Sequence, residues 1–523
     1  MAVDDNPEQS CDYLLYHGAV VTPNSDISGI GVILAFVLSA CFTFLAVLAA
    51  YLCGLVDEPL LNAVDRRVFR IRPYRSCSNH HHGDARGRVY RCVRQMVVVL
   101  SDQQIVTGIA ILSAGFRGLQ ARDVSVYHFQ IVLYLAWMSS SVHLSAVTLL
   151  GSYLRRHRGL LWWRFAGMLV LLVMLVVALV PTISNDWGIY WWDGMLDGRT
   201  GWAIPAHCFW GELWGDGVGP DAPLGFVILA VSYLWKMGAL FDTTSGWYRG
   251  FVKDPLEGAI FKGLTYPATK YRDSTRSWFW LCIFRLALGV ALPTIAIIEC
   301  ASSFAASLWL SLTSLLYGMI QIFVPREQMI PLTGSSESSW GFGQLVPLIL
   351  LIQPVGVLFE HLYSKSKTDE SQDGEDHVLE HDTIREAIDA APTIPASQKP
   401  TLLELLVSRD EDRLLKGHNR QTAIWKLLYA SKLFALMVYL VQFAIAAICA
   451  VVFYFDVLTI GNARSDNWWF ILIALAAFLG AGLVFSIALA PFSVTGRSPR
   501  DIDGELPTVR ASERLLEMSQ ATP

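Results

Sequence analysis

The feature that most constrains this chain is a series of uncharged runs longer than about 18 residues, enough to cross a hydrocarbon layer roughly 30 Å thick at about 1.5 Å of rise per helical residue. Ten apolar segments stand out, at about 27–55, 96–116, 126–150, 160–183, 223–242, 278–298, 302–324, 344–362, 426–455 and 467–490. Alternation with period two never persists, and the runs are too long for strands. Charged residues are 16% of the chain, against about 25% in a soluble domain. The expected fold is all-α: a polytopic transmembrane helical bundle with nine or ten hydrophobic segments. The uncertain one is 344–362, which is short and holds Pro347 and Pro354. A broken or re-entrant segment there leaves nine crossings.

The expected organisation is an acidic N-terminus (1–26), a main membrane bundle (27–362), a polar linker with an interfacial helix (363–425), two further transmembrane helices (426–490) and a polar tail (491–523). Within the linker, Thr401 and Glu404 have capping-box spacing. Residues 1–26 lack the basic start of a cleavable signal peptide.

Lys and Arg in short loops favour the cytoplasmic side. Arg66, Arg67, Arg70, Arg72, Arg75, Arg86, Arg88, Arg91 and Arg94 crowd the first loop, and Arg155, Arg156 and Arg158 join segments three and four. Residues 184–222 carry only Arg199 against six acidic residues, and hold Trp187, Trp191, Trp192, Trp202, Trp210 and Trp214. These patterns put the basic loops in the cytoplasm, and the N-terminus and the tryptophan-rich loop on the opposite side. Indole rings favour the interface, so the loop is expected to lie on the bilayer or cap the bundle.

The net charge is −5, which gives no reason to expect nucleic acid. The nine cysteines never adopt CxxC spacing, so neither a disulfide framework nor a zinc knuckle is indicated. The run Cys77 to His82 lacks helical metal-site geometry. No metal and no cofactor is expected. The absence of a P-loop and of paired DDxxD motifs disfavours ATP-driven transport and class I terpene cyclisation.

Ionisable groups inside a bilayer cost several kcal/mol unless paired or hydrated, so each is a candidate for function. Toward the basic side lie Asp102, Gln103, His143, Lys236, Asp242 and Arg285. A shared cavity of acids and bases is the functional reading. Salt bridges joining Asp102 to Arg285 or Lys236 to Asp242 are the structural one. Toward the other side lie His128, Gln130, His207 and Glu299.

The stretch LSDQQIVTGIAILSAGF (Leu100 to Phe116), followed by VYHFQIVLYLAWMSSSVHLSAVTLL (Val126 to Leu150), resembles a signature of polytopic membrane proteins of filamentous fungi. Some of those are similar to the membrane-bound terpene cyclases of the ascochlorin and ascofuranone pathways, which close epoxidised farnesyl chains. The resemblance implies an endoplasmic-reticulum protein of fungal secondary metabolism, with Asp102, Gln103, Gln104, His128, Gln130, Trp137 and His143 as matching positions.

The leading expectation is a membrane-bound terpene cyclase acting on a lipophilic terpenoid by acid-initiated cyclisation, in which the acid opens an epoxide or protonates an alkene. Asp102 first and Asp242 second would supply the proton, with His143 as the third catalytic group. Gln103, His128, Gln130, Trp137, Trp235, Lys236 and Arg285 would bind substrate, the two tryptophans shielding a cation. The expected partners are the bilayer, that substrate and pathway enzymes. The rival classes are a transporter or channel for a small organic molecule and a non-catalytic scaffold.

Overall fold

A helix that carries His, Gln and Ser through a bilayer must be hidden from lipid by its neighbours. The computed structural model of the protein gives the third helix that position. It describes residue 11 and residues 21–74, 85–184, 186–188, 191–192, 195–196, 198–210, 221–241, 249–333, 337, 340, 342–363, 425, 428–429, 431–460 and 468–489. Helix α3 (Val126–Arg156) is buried at every residue from Val126 to Val147. Helices α1 (Ile30–Leu52), α2 (Ala85–Ala121), α4 (Arg158–Leu179), α6 (Asp221–Leu240) and α9 (Phe304–Thr333) pack around it. The outer helices have the opposite character, leaving Phe42, Leu45, Val170, Val173, Val231 and Leu234 exposed as a lipid-compatible surface. Ser125 starts α3 by accepting a bond from His128 N, as an N-cap should.

The two ends of this bundle differ in charge. At the basic end, Arg86 bonds Gly54 O at 2.9 Å, Tyr90 bonds Asp57 at 2.7 Å, and Arg94 lies over the Tyr153 ring at 4.6 Å. Asp65 sits here, fully buried, accepting from Tyr51 OH at 2.7 Å and from Phe304 N at 2.9 Å and Ala305 N at 3.3 Å. It therefore caps α9 with a carboxylate, where the helix dipole favours negative charge. Burial nevertheless outweighs these bonds and pushes its carboxyl above the usual carboxylate range.

Helix α7 (Asp254–Asp273) turns back through Ser274–Arg276 onto α8 (Ser277–Ala301), and these pack with α12 (Lys432–Ile460) and α13 (Trp468–Leu489) around a second apolar cluster. This hairpin corrects the expected position of Glu299. Its carboxylate bonds Lys253 at 2.9 Å, Tyr429 OH at 3.1 Å and Asn62 Nδ2 at 3.4 Å, so it lies at the basic end. The polar α7 contributes an extra leg that hydropathy does not reveal. Packing in this cluster depends on Gly289, where an added Cβ would stand 2.6 Å from Ile487 Cα. Gly289→Ala should lower stability by about 1–3 kcal/mol, read as an earlier melting midpoint in detergent, with Gly480→Ala, which meets nothing within 4 Å, as the control.

At the other end, α5 (Gly198–Ala203), a short pairing of Trp191–Trp192 with Met195–Leu196, and the turn at Ala206–Trp210 form the tryptophan-rich segment. It is stitched to the head of α3 by Val126 N to Ile204 O at 2.8 Å and Ala206 N to Val124 O at 2.9 Å. Cys11 and Cys208 form a disulfide here, against the sequence expectation. The two residues are 197 positions apart, a separation that carries no local spacing signal.

Seven helices among the described residues are long and apolar enough to cross a membrane, with shorter apolar helices at Gly225–Gly238 and Gly480–Leu489. The expected count of nine or ten is not confirmed among the described residues. The 344–362 segment is broken into α10 (Phe342–Leu350) and α11 (Ile352–Tyr363), which lie against α1 and α2 respectively. The 77–82 histidine run, the capping-box pair at 401 and 404, and the 491–523 tail lie outside the described residues.

Candidate functional site

The expected cluster at the basic side resolves into a smaller site between α2, α3 and α4. On α2, Ser101 and Gln104 are buried one turn apart, with Asp102 and Gln103 beside them. Gly108 lets the helices close, since a Cβ there would meet Ser139 Cβ and Leu171 Cδ1 at 3.2 Å. Asp102 pairs with Arg164 of α4 at 2.7 Å, and Arg164 Nη2 also bonds Val98 O at 3.2 Å. The Arg164 side chain is 1% exposed and that of Asp102 43%. The acid thus sits at the edge and the base in the interior. His143 of α3 meets Ser101 through Nδ1, at 2.7 Å to the hydroxyl and 3.1 Å to the carbonyl oxygen, and lies within electrostatic reach of Arg164. Gln104 Nε2 bonds Ser39 of α1 at 2.7 Å.

Half of this site is unspent. Arg164 Nε and Nη1, His143 Nε2, Gln103 Oε1, Gln104 Oε1 and Ser139 Oγ are buried without a hydrogen-bond partner among the described residues. Each such group costs about 1–3 kcal/mol if nothing satisfies it, and buried polar groups in native proteins are nearly always satisfied. These six open positions fall on five residues of three adjoining helices, and buried polar groups of this kind call for water or an oxygen-bearing ligand.

The remaining expected residues do not join this site. Arg285 is exposed on α8, which packs with α7, α12 and α13; the proposed Asp102–Arg285 bridge is replaced by Asp102–Arg164. Lys236 of α6 is buried, bonding Thr148 Oγ1 at 2.6 Å and the hydroxyl and carbonyl oxygens of Ser307. Asp242 lies outside the described residues. Trp137 is buried against Tyr134 and Tyr317 and donates to Ser314 O at 2.9 Å, which makes it a packing residue of the α3–α9 seam. Trp235 lies at the outer surface of α6.

His128 and Gln130 belong to a separate cluster at the tryptophan-rich end. Gln130 accepts from Trp187 Nε1 at 2.8 Å and donates to Gln321 at 2.8 Å. His128 faces Ser125 Oγ at 2.9 Å and Glu337 at 3.5 Å. Glu337 also accepts from Ser28 at 2.6 Å and Tyr127 at 3.1 Å, with Arg326 at 3.8 Å. Burial by itself would raise the Glu337 carboxyl, but the bonds from His128, Ser28 and Tyr127 outweigh it and hold the group below its ordinary value of 4.5. Its stabilising contribution is therefore present above that value and is lost as pH falls through the depressed one. Wild type should lose stability more steeply below about pH 4.5 than Glu337→Gln, measured as melting midpoint against pH; parallel curves would remove Glu337 as the acid-sensitive group.

Sequence reading missed Arg164, Arg326 and Glu337. Arg164 had a usable signal, a lone charge inside the 160–183 segment. Arg326 stands just beyond the 302–324 segment, and Glu337 lies in a polar serine-rich stretch where nothing distinguishes it.

No protein-family model and no solved structure matches the chain. It is similar to "Elsinochromes biosynthesis cluster protein HP3" of Elsinoe fawcettii, 37% identical over 138 residues, which are 26% of this chain and 51% of that protein. The matched stretch thus spans about half the length of that relative. It is also similar to "Elsinochromes biosynthesis cluster protein HP2" of the same fungus, 23% identical over 382 residues, covering 63% of this chain and 96% of that protein. Both relatives are proteins of a fungal biosynthesis cluster, and their names specify no reaction.

Proposed function

We propose that the protein is a membrane-bound cyclase or isomerase of fungal secondary metabolism that acts on a lipophilic, oxygenated intermediate by proton transfer at the α2–α3–α4 site. The observation that carries this reading is the set of open hydrogen-bonding positions on Arg164 and His143. A proton on His143 Nδ1, shared with the Ser101 carbonyl, leaves Nε2 as an acceptor. Nε2 would take a proton from the substrate, and the Arg164 Nε and Nη1 donors would hold the oxygen on which negative charge develops. Asp102 would orient Arg164. That positioning role, carried by the 2.7 Å pairing with Arg164, differs from the acid initiation expected from sequence.

For an epoxidised terpenoid, the substrate class implied by the sequence resemblance, the step balances without a cofactor. A substrate hydroxyl loses its proton to His143 and attacks an epoxide carbon; the carbon–oxygen bond breaks, and the oxygen released against Arg164 takes the proton back from His143, which returns to its neutral state. Microsomes carrying the protein, incubated with hydroxylated epoxy-terpenoids, should yield a product of unchanged mass and altered retention. Recovery of only starting material across such a series would overturn the terpenoid assignment. A relation to biosynthesis-cluster proteins supports the general reading.

Transport is a second reading, favoured by one observation. Polar side chains line the α3–α9 seam from Gln130–Gln321 through Tyr134–Tyr317 and Ser141–Ser314 to Thr148–Ser307, where Lys236 joins them. Flux of a chemically unchanged compound into proteoliposomes would favour it over catalysis.

A further inference from the structure

The tryptophan-rich end carries a second chemical constellation, separate from the proposed proton-transfer site. His207 Nε2 lies 3.6 Å from Cys11 Sγ and 3.7 Å from Cys208 Sγ, the two sulfurs of the disulfide. Cys11 is half-buried and Cys208 buried, leaving Cys11 as the sulfur an incoming thiol can reach. The remaining cysteines among the described residues are free, including exposed Cys53 at the basic end. The bridge also bears on the bundle. Cys208 follows the stretch bonded to the backbone of Val124 and Val126, and Phe209 packs on Trp187 at 5.2 Å, which in turn packs on Phe129 of α3 at 6.2 Å.

We propose that Cys11, His207 and Cys208 form a thiol–disulfide exchange site whose co-reactant is a dithiol, and which ties Cys11 to the segment at the head of α3 while oxidised. In the opening step His207 takes the proton of the attacking thiol. The new sulfur–sulfur bond forms at Cys11, the Cys11–Cys208 bond breaks, and the departing Cys208 thiolate receives the proton from His207. The second thiol of the reductant then resolves the mixed disulfide, giving two protein thiols and an oxidised dithiol. Disulfides persist in oxidising compartments. The site therefore places the tryptophan-rich end on the non-cytoplasmic side, independently of the arginine distribution that points the same way.

The test is differential alkylation of the full-length protein in membranes prepared with a maleimide present from lysis, followed by dithiothreitol or a phosphine reductant, with labelled peptides identified by mass. Cys11 and Cys208 should escape labelling until reduction and then be labelled together. His207→Gln should slow dithiothreitol opening by about tenfold, below the usual range for an enzyme's positioned acid or base because thiol exchange is intrinsically easy. The phosphine rate, which needs no thiol proton transfer, should be unchanged. The ratio of the two rates therefore reports on His207 even if the variant is looser than wild type. Labelling of both cysteines without reductant, or an unchanged ratio in His207→Gln, would overturn the proposal.

Discussion

His143→Gln should reduce turnover by about 10²- to 10⁴-fold, the usual contribution of a positioned acid or base, while leaving the protein inserted and folded. Glutamine approximates the volume of imidazole and can keep a bond to Ser101, whose carbonyl lies 3.1 Å from His143 Nδ1, but it cannot cycle a proton at the Nε2 position. Asp102→Asn should be milder. Asp102 is 43% exposed at the edge of the site, and Arg164 would keep its bond to Val98 O, so the variant loosens the donor fork without removing it. If Asp102 were the proton donor, this order would reverse, with Asp102→Asn inactive and His143→Gln largely competent. Product formation in microsomes, normalised to inserted protein, distinguishes the two orders.

The largest stability effect is expected at Asp65. Asp65→Ala strands Tyr51 OH, Asn62 N, Phe304 N and Ala305 N, all of which bond its carboxylate, at about 1–3 kcal/mol for each donor left unsatisfied in the interior. Relief from burying a carboxylate offsets part of that. The net loss should be about 3 kcal/mol, with Asp65→Asn intermediate because the amide retains one acceptor oxygen. Melting of the purified protein in detergent checks this. An unchanged midpoint in Asp65→Ala would mean that the cap does not hold α9 to the basic end.

Much of the membrane architecture was legible because bilayer-crossing helices announce themselves by length and hydropathy, and because Pro347 and Pro354 forecast the break between α10 and α11. The parity of the later helices was not legible. Helix α7 is too polar to register in a search for apolar runs, yet it pairs with α8 and returns the chain, which moved Glu299 to the opposite end from the one expected. In the candidate site, Asp102 pairs with Arg164 and His143 bonds Ser101, the residue preceding Asp102, since intramembrane polar residues have few places to go except inward. Their partner was misjudged because register between helices depends on tertiary packing. Gly167 of α4 leaves room for Ile105 of α2, an added Cβ there standing 3.0 Å from Ile105 Cγ2, and the same two helices join Asp102 to Arg164; neither charge nor spacing could choose Arg164 over Arg285. The Cys11–Cys208 bridge was invisible for the same reason.

The most direct test is a high-resolution cryo-electron microscopy map of the protein in lipid nanodiscs, prepared with and without an epoxy-terpenoid that it converts or binds. The free protein should show ordered water between α2, α3 and α4, replaced in the complex by a substrate oxygen within hydrogen-bonding distance of Arg164 Nε or Nη1 and of His143 Nε2. A map in which those atoms bond only to protein groups, with the added compound bound elsewhere or excluded, would contradict the proposed site.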